Sequence, residues 1–168
     1  ELDPVGKLMG AVSCIVVRQD NSLLGVNNDW LGFRDNLNST FPDWKSTTRS
    51  ALVLGAGGGG LAIVYALVQE GVNEIIITNR SQERAEQIAD IFKSENIQVR
   101  PWSERHSMVA DSDLIVNTTN QGMTGQTPLE LSLDSAKSNA IVADIIYVPL
   151  ETSLIAEAKL RGLRTVGG

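Results

Sequence analysis

A glycine-rich segment at residues 55–60 constrains the fold more than any other part of the chain. It reads GAGGGG, which satisfies the pattern G-x-G-x-x-G, and it lies between an apolar run at 51–54 and a helical pattern at 60–69. In such a strand–turn–helix unit the first glycine permits a tight turn, the second lets the backbone approach a pyrophosphate, and the third allows close helix packing. The segment therefore predicts a dinucleotide site at a helix N-terminus, where N–H groups and the helix dipole favour an anion.

A connection without a ligand and a P-loop both fit the glycine-rich segment less well. A connection without a ligand needs one or two glycines, whereas glycine fills five of these six positions and weakens the start of the helix. A P-loop needs a lysine and then a serine or threonine directly after its last glycine. Leu61 and Ala62 occupy those positions, so kinase or ATPase chemistry is disfavoured.

Apolar runs typical of strands alternate with helical patterns through most of the chain. Strands are predicted at residues 51–54, 74–78, 97–99, 114–117, 140–146 and 164–166, with helices at 60–69, from 81 to 92, near 104–110 and at 153–161. This alternation predicts an α/β fold with a doubly wound parallel sheet of the Rossmann type. Three consecutive isoleucines within 74–78 suit a sheet that is covered on both faces.

The first part of the chain has a different pattern. Residues 2–10 indicate the end of a helix, and 13–18 and 23–26 indicate two strands joined by a polar turn, which is a short hairpin. Asp29 is predicted to cap a helix that ends before a loop over residues 38–50. We therefore expect a boundary near Asn28, with residues 1–28 as a separate N-terminal part and residues 29–168 as the domain that contains the glycine-rich segment and the parallel sheet.

The residues after the second strand of the parallel sheet favour one coenzyme. An acidic side chain there accepts from the 2′-hydroxyl of NAD, but this strand ends at Thr78 and Asn79 without a carboxylate. Arg80 and Arg84 lie four residues apart at the start of a helix, so both guanidinium groups can bind a 2′-phosphate. Ser81 can add a hydroxyl while it caps the helix. The pattern predicts NADP as the cofactor, with pairing of Arg84 to a surface carboxylate as the alternative.

Composition excludes several classes of partner. The net charge is −6 and the basic residues are scattered, so no nucleic-acid partner is expected. No apolar run approaches the roughly 18 residues of a membrane span. Cys14 is the single cysteine, which favours a cytoplasmic protein and is expected to be buried and inert. One histidine, His106, cannot form a zinc cluster with it, so no metal is expected, and His106 is assigned no function.

Seven segments taken together resemble the shikimate dehydrogenase family. In chain order they are GAVSCIVV at 10–17, GVNNDWLGF at 25–33, LGAGGGG at 54–60, NRSQERA at 79–85, NTTNQGM at 117–123, ADIIYVPLET at 143–152 and RGLRTVGG at 161–168. The combination is far more specific than the glycine-rich segment alone.

The resemblance implies a reaction and a set of site residues. That family reduces 3-dehydroshikimate to shikimate with NADPH, between an N-terminal substrate domain and a C-terminal nucleotide domain. By this resemblance, Asp29 acts with a lysine on the substrate hydroxyl, and Tyr147 reaches the substrate. The implied cofactor-binding residues are Gly55, Ala56, Gly57, Gly58, Gly59, Asn79, Arg80, Ser81, Arg84, Thr118, Thr119, Ile145 and Gly168.

Departures from the family pattern leave alternatives open. Ser13 replaces a substrate-binding amide with a hydroxyl of shorter reach, so quinate remains an alternative substrate to shikimate. The family's lysine, a serine-rich carboxylate clamp and a late glutamine correspond to segments before residue 1 or after residue 168. The chain is therefore expected to be an excised fragment that binds NADP(H) without appreciable turnover. A non-catalytic relative with a regulatory or interaction role is the other alternative.

Overall fold

Two sheets of unequal size organise the chain in this computed structural model, which describes residues 1–93 and 96–168. The larger sheet has six strands and the smaller has two. In chain order the strands are β1 Cys14–Val17, β2 Leu23–Val26, β3 Ser50–Leu54, β4 Glu74–Asn79, β5 Ile97–Pro101, β6 Leu114–Asn117, β7 Ile141–Asp144 and β8 Arg164–Val166.

Helices connect most of the strands of the larger sheet. They are α1 Pro4–Met9, α2 Asp29–Thr40, α3 Trp44–Thr47, α4 Gly58–Gln69, α5 Gln82–Phe92, α6 Arg105–Met108 and α7 Ser153–Leu160. Short 3-10 helices at Trp102–Glu104 and Val109–Asp111 flank α6. No helix among the described residues is long and apolar enough to cross a lipid bilayer.

The larger sheet is parallel throughout, with the strand order β5-β4-β3-β6-β7-β8. The chain moves outward from β3 to β5 and then returns to the other side of β3, so the order reverses between β3 and β6. In open parallel sheets, ligands bind outside the carboxyl ends of the strands at such a reversal. The predicted doubly wound, Rossmann-like sheet is confirmed, and it places the glycine-rich segment at the reversal.

Apolar clusters cover both faces of the larger sheet. Along β3, Ala51 and Val53 belong to the cluster on the side of α4 and α5, whereas Leu52 and Leu54 belong to the cluster on the side of α7. Successive side chains of a strand point to opposite faces, so a strand buried on both faces is apolar at every position. This explains why the central strands appear in the sequence as uninterrupted apolar runs.

The N-terminal hairpin is confirmed but is poorly buried. Strands β1 and β2 pair antiparallel, with Cys14 opposite Val26. Ile15, Val17 and Leu23 are all more than half exposed. The expectation that Cys14 is buried is wrong, since every residue of β1 is exposed in this two-stranded sheet.

Two local predictions around α2 are wrong. Asn28, not Asp29, is the residue at the cap, and the Asp29 N–H donates to the Asn27 side-chain oxygen at 3.3 Å. Asp29 is therefore the first residue of the helix, and its carboxylate is not used as a cap. The predicted loop over 38–50 instead contains the end of α2 and the short α3, because the buried Trp44 indole donates to Asn38 at 2.8 Å and holds the segment in place.

Candidate functional site

The glycine-rich segment is crowded at its two ends and open in the middle. Gly55 has φ +113°, and a Cβ there would lie 2.6 Å from the Thr118 hydroxyl oxygen. A Cβ on Gly60 would lie 2.5 Å from the Gly55 carbonyl oxygen. Gly57 and Gly58 have no such neighbour within 4 Å. The segment thus makes a tight turn, packs α4 closely against it, and leaves bare backbone facing outward.

The N-terminus of α4 lies in this open backbone. Gly57 occupies the cap position, and no side chain accepts from the first turn. The first N–H groups of a helix have no partner within the helix, and here glycine cannot supply one from its own side chain. The twelve-residue helix α4 therefore offers its N–H groups and the positive end of its dipole to an anionic ligand.

One cavity, which we call the loop cavity, adjoins the glycine-rich segment and measures about 180 Å³. The segments that follow four neighbouring strands form its wall, as expected at the carboxyl edge of a parallel sheet. Its lining residues are Gly55, Ala56, Gly57, Asn79, Arg80, Trp102, Thr118, Thr119, Asn120 and Gln121. The sequence patterns did not predict the last two or Trp102. The only signal for Trp102 was its position directly after β5.

Arg80 and Arg84 lie on two sides of the glycine-rich segment. Arg80 lines the loop cavity, and Arg84 lines a neighbouring groove, while Ala56 and Gly57 line both. Both arginines are exposed, and neither makes an ion pair with any residue of the described chain. The alternative in which Arg84 pairs with a nearby carboxylate is thus absent from the described residues. Ser81 occupies the cap position of α5 as predicted, but its side chain makes no capping hydrogen bond.

A larger cavity of about 490 Å³, the main cavity, lies between α2 and the carboxyl ends of β7 and β8. Asp29 and Tyr147 line it, and so do Ile145 and Gly168. Ser13 does not line it; the Ser13 hydroxyl accepts from the Asn28 N–H at 2.9 Å, next to Asp29. The structure thus brings together all of these predicted residues except Ser13. The lining residues are Asn28, Asp29, Gly32, Phe33, Asn36, Gly59, Ala62, Ile63, Ala143, Asp144, Ile145, Tyr147, Val166, Gly167 and Gly168.

Close contacts define the floor of the main cavity. A Cβ on Gly59 would lie 2.6 Å from the Ile145 Cδ1, and one on Gly168 would lie 2.5 Å from the Ile145 carbonyl oxygen. The Asn36 side chain donates to the Gly167 carbonyl at 2.8 Å and ties α2 to the segment after β8. Larger side chains at Gly59 or Gly168 would fill the space beside Ile145.

A buried polar cluster lies behind the main cavity and was not predicted from the sequence. Asp144, Asn117 and Thr152 are almost fully buried. The Thr152 hydroxyl donates to the Asp144 carboxylate at 2.7 Å, and the Asn117 amide donates to both of its oxygens at 3.2 Å. Burial raises the pKa of Asp144, and these hydrogen bonds offset only part of that rise. Both Asn117 and Asp144 end strands, and that position was the available signal.

None of the described residues form a group of three His, Cys, Asp or Glu side chains that could hold a metal ion.

Comparison with known proteins places these features in one family. Residues 36–150 match the family model described as shikimate / quinate 5-dehydrogenase. The whole chain is 41% identical to a shikimate dehydrogenase (NADP(+)) of Azorhizobium caulinodans and covers 59% of that protein.

Solved structures of relatives share the fold closely. A quinate dehydrogenase from Corynebacterium glutamicum in complex with NAD has a TM-score of 0.89 at 27% identity, over 98% of this chain and 59% of its own. A shikimate dehydrogenase from Aquifex aeolicus has a TM-score of 0.84 at 34% identity, over 99% and 59%. The chain thus spans about three fifths of the length of these relatives. Because the family model matches more than half of it, the chain belongs to the shikimate / quinate 5-dehydrogenase family.

Proposed function

We propose that this chain binds NADP(H), and that the protein to which it belongs reduces 3-dehydroshikimate to shikimate. The proposal rests on one observation. The guanidinium groups of Arg80 and Arg84 are exposed on either side of the open glycine-rich backbone, and neither forms an ion pair within the described chain. A 2′-phosphate is the group that distinguishes NADP from NAD, and arginine binds phosphate with two parallel hydrogen bonds. A relative's name, shikimate dehydrogenase (NADP(+)), agrees with this choice.

The open backbone at Gly57 and Gly58 fits a pyrophosphate, because nothing lies within 4 Å of where their side chains would be. We propose that the coenzyme is held by Gly55, Ala56, Gly57, Gly58, Gly59, Asn79, Arg80, Ser81, Arg84, Thr118, Thr119, Ile145 and Gly168. When bound, the nicotinamide supplies or receives a hydride at its C4 atom. The close packing of Gly59 and Gly168 against Ile145 would give the ring a flat apolar floor and exclude water from one side.

The substrate end of the proposal depends on Asp29 and Tyr147. Both line the main cavity, and the Asp29 carboxylate is not used as a helix cap because Asn28 occupies the cap position and Asp29 lies in the first turn of α2. Asp29 can therefore hold and orient a proton donor, which the family resemblance identifies as a lysine of the whole protein. Tyr147 is 69% exposed and presents a hydroxyl at the cavity rim. We assign residues 1–28 to the substrate domain and residues 29–168 to the NADP-binding domain.

Quinate is a second candidate substrate for the whole protein. Ser13 stands where an amide is usual, and its hydroxyl already accepts from the Asn28 N–H, so it presents one donor at most. The likeness to a quinate dehydrogenase at a TM-score of 0.89 also supports this candidate. A non-catalytic relative would lack the lysine, so activity of the full-length protein with shikimate and NADP would reject that third possibility. As an enzyme of shikimate metabolism it would work in the cytoplasm, on the route to chorismate and the aromatic amino acids.

Calorimetric titration of the 168-residue chain tests the coenzyme assignment. We expect NADPH to bind at least about tenfold more tightly than NADH, since each charge-assisted hydrogen bond to phosphate contributes roughly 1.5–3 kcal/mol. The double variant Arg80→Ala, Arg84→Ala should abolish this preference and leave the NADH affinity unchanged. Arg100→Ala is the matched control, because Arg100 is exposed and already paired with Glu104. Equal affinity for the two coenzymes in the unmodified chain would refute the proposal.

A further inference from the structure

The buried cluster behind the main cavity contains a carboxylate without a cation. Asp144 is 2% exposed, and no Lys, Arg or His among the described residues forms an ion pair with it. Its partners are three neutral donors: the Asn117 amide, the Ile146 N–H at 3.1 Å and the Thr152 hydroxyl. Burying an ionised group with only neutral partners carries a desolvation penalty. Asp144 incurs this penalty at the carboxyl edge of the sheet, where ligands bind.

The Asp144 contacts extend in two directions. On one side, its carboxylate accepts from the Ile146 N–H and so fixes the backbone that runs from Ile145 to Tyr147 along the main cavity. On the other side it accepts from Asn117, whose side-chain oxygen accepts from the Thr119 N–H at 3.0 Å and the Thr119 hydroxyl at 2.8 Å. Thr119 lines the loop cavity. One carboxylate is thus linked to a wall of each cavity.

Hydrogen bonds to Asp144 on one side and Thr119 on the other fix the orientation of the Asn117 amide. Its NH₂ group faces Asp144, and its oxygen faces Thr119. A flip of the amide would place its NH₂ against the Thr119 N–H and its oxygen against the Asp144 carboxylate, which loses the hydrogen bonds that Asn117 makes to the Thr119 N–H and to Asp144. The acceptor at position 144 therefore determines how the turn after β6 is held relative to the turn after β7.

We infer that Asp144 is a positioning residue that sets the spacing between the two halves of the coenzyme site. The turn after β6 packs on the glycine-rich segment, since a Cβ on Gly55 would meet Thr118, and the turn after β7 carries Ile145 under the main cavity. Asp144 aligns the nicotinamide end with the phosphate end through the two turns that it holds. This inference rests on the proposed binding of NADP(H).

Two probes separate the two ends of the site on the 168-residue chain. Adenosine 2′,5′-bisphosphate tests the phosphate end alone, and NADPH tests both ends and reports the nicotinamide environment through its own fluorescence. For Asp144→Leu we expect NADPH to lose roughly tenfold in affinity while the bisphosphate changes less than about threefold, since only one end is misaligned. The nicotinamide emission at saturating NADPH should also fall. Asp144→Asn retains an oxygen for Ile146 and Asn117 and should recover most of both signals.

Asp113→Asn is the matched control, because Asp113 also accepts from a neighbouring segment, the Arg49 and Ser50 N–H groups at the start of β3, but lies at the opposite edge of the same sheet. It should leave both affinities and the emission at their unmodified values. If Asp144→Leu does not fold, Thr152→Val removes one donor to the same carboxylate and should show a smaller loss confined to NADPH. The inference would be overturned if Asp144→Leu weakened the binding of both probes equally or left the NADPH affinity unchanged. It would also be overturned if Asp113→Asn lost as much NADPH affinity as Asp144→Leu. If the unmodified chain binds neither probe, the proposed function fails first and the inference fails with it.

Discussion

Two carboxylates at opposite edges of the parallel sheet are held in contrasting ways. At the amino edge, just before β6, Asp113 accepts from the backbone N–H groups of Arg49 and Ser50 and pairs with Lys137 at 2.7 Å. At the carboxyl edge, Asp144 is more deeply buried, and its partners among the described residues are all neutral. Burial acts to raise the pKa of Asp113, but the Lys137 ammonium and the backbone donors outweigh it, so this pKa is lowered. Burial raises the pKa of Asp144.

The difference indicates that Asp113 stabilises the fold, whereas Asp144 belongs to the binding site. Asp113 ties β3 to β6 with its charge compensated, and it lines none of the cavities described above. Asp144 carries an uncompensated charge beside two cavities, where the carboxyl ends of parallel strands gather ligands. A protein can retain a buried group that lowers its stability where that group aligns a functional site. A residue that only stabilises the fold is expected to have its charge compensated.

Replacement of each carboxylate by leucine should give the largest contrast. Asp144→Leu leaves three buried donors without an acceptor, so we expect the free energy of unfolding to fall by about 3 kcal/mol. Asp113→Leu should cost about 1–2 kcal/mol, because two of its partners, Arg49 and Lys137, are accessible to water, which can replace the acceptor. Urea unfolding of both variants at neutral pH measures the contrast. A larger loss for Asp113→Leu would reverse the comparison.

Removal of the cation at the amino edge should have a smaller effect. Lys137→Met eliminates the ion pair with Asp113, and because the Lys137 side chain is 37% exposed the pair is screened by water. We expect a loss of about 0.5 kcal/mol, typical of exposed ion pairs. Added salt should reduce the difference in stability between the unmodified chain and this variant, since salt screens the ion pair that the variant lacks. Glu151→Gln, which removes the acidic partner of the exposed Lys159, serves as a surface control.

The smallest expected effect is a difference in pH dependence. The folded-state pKa of Asp113 is lowered, so its contribution to stability is present above the unfolded value and is lost as the pH falls through the folded value. The folded-state pKa of Asp144 is raised, so its contribution is greatest below the unfolded value and is lost as the pH rises through the folded value. Stability relative to the unmodified chain should therefore rise with pH in Asp144→Asn and fall with pH in Asp113→Asn. Urea midpoints from acidic to neutral pH would measure both slopes, and slopes of the same sign would contradict the comparison.

Most of the fold could be predicted from local sequence patterns. The alternation of apolar runs and helical faces predicted the parallel sheet, and the glycine spacing predicted the turn into α4, because both depend on short-range geometry. The prediction of Asp29 as a helix cap was wrong because α2 begins one residue earlier: the Asn28 carbonyl accepts from the Gly32 N–H, which places Asp29 inside the first turn. The short α3 was not predicted because it depends on burial of Trp44 and its contact with Asn38.

The candidate site was only partly predictable, because sequence patterns indicate contacts between residues that are close together in the chain. Arg80 and Arg84 are four residues apart in sequence, so their spacing was enough to predict that both lie beside the glycine-rich segment. Asp144, Asn117 and Thr152 are separated along the chain, and their contacts span up to 27 residues. Local patterns do not indicate which of the buried polar residues will meet. Only the strand order, which places β6 beside β7, creates the cluster.

The small hairpin has a practical consequence for work in solution. The outer edge of β1 pairs with no other strand of the described chain, and Ile15, Val16 and Val17 along it are exposed. An apolar edge strand is a template for addition of a strand from another molecule. Association at high protein concentration would compete with ligand-dependent signals, so coenzyme affinities are best measured in dilute solution, with light scattering to verify that the particles remain single chains.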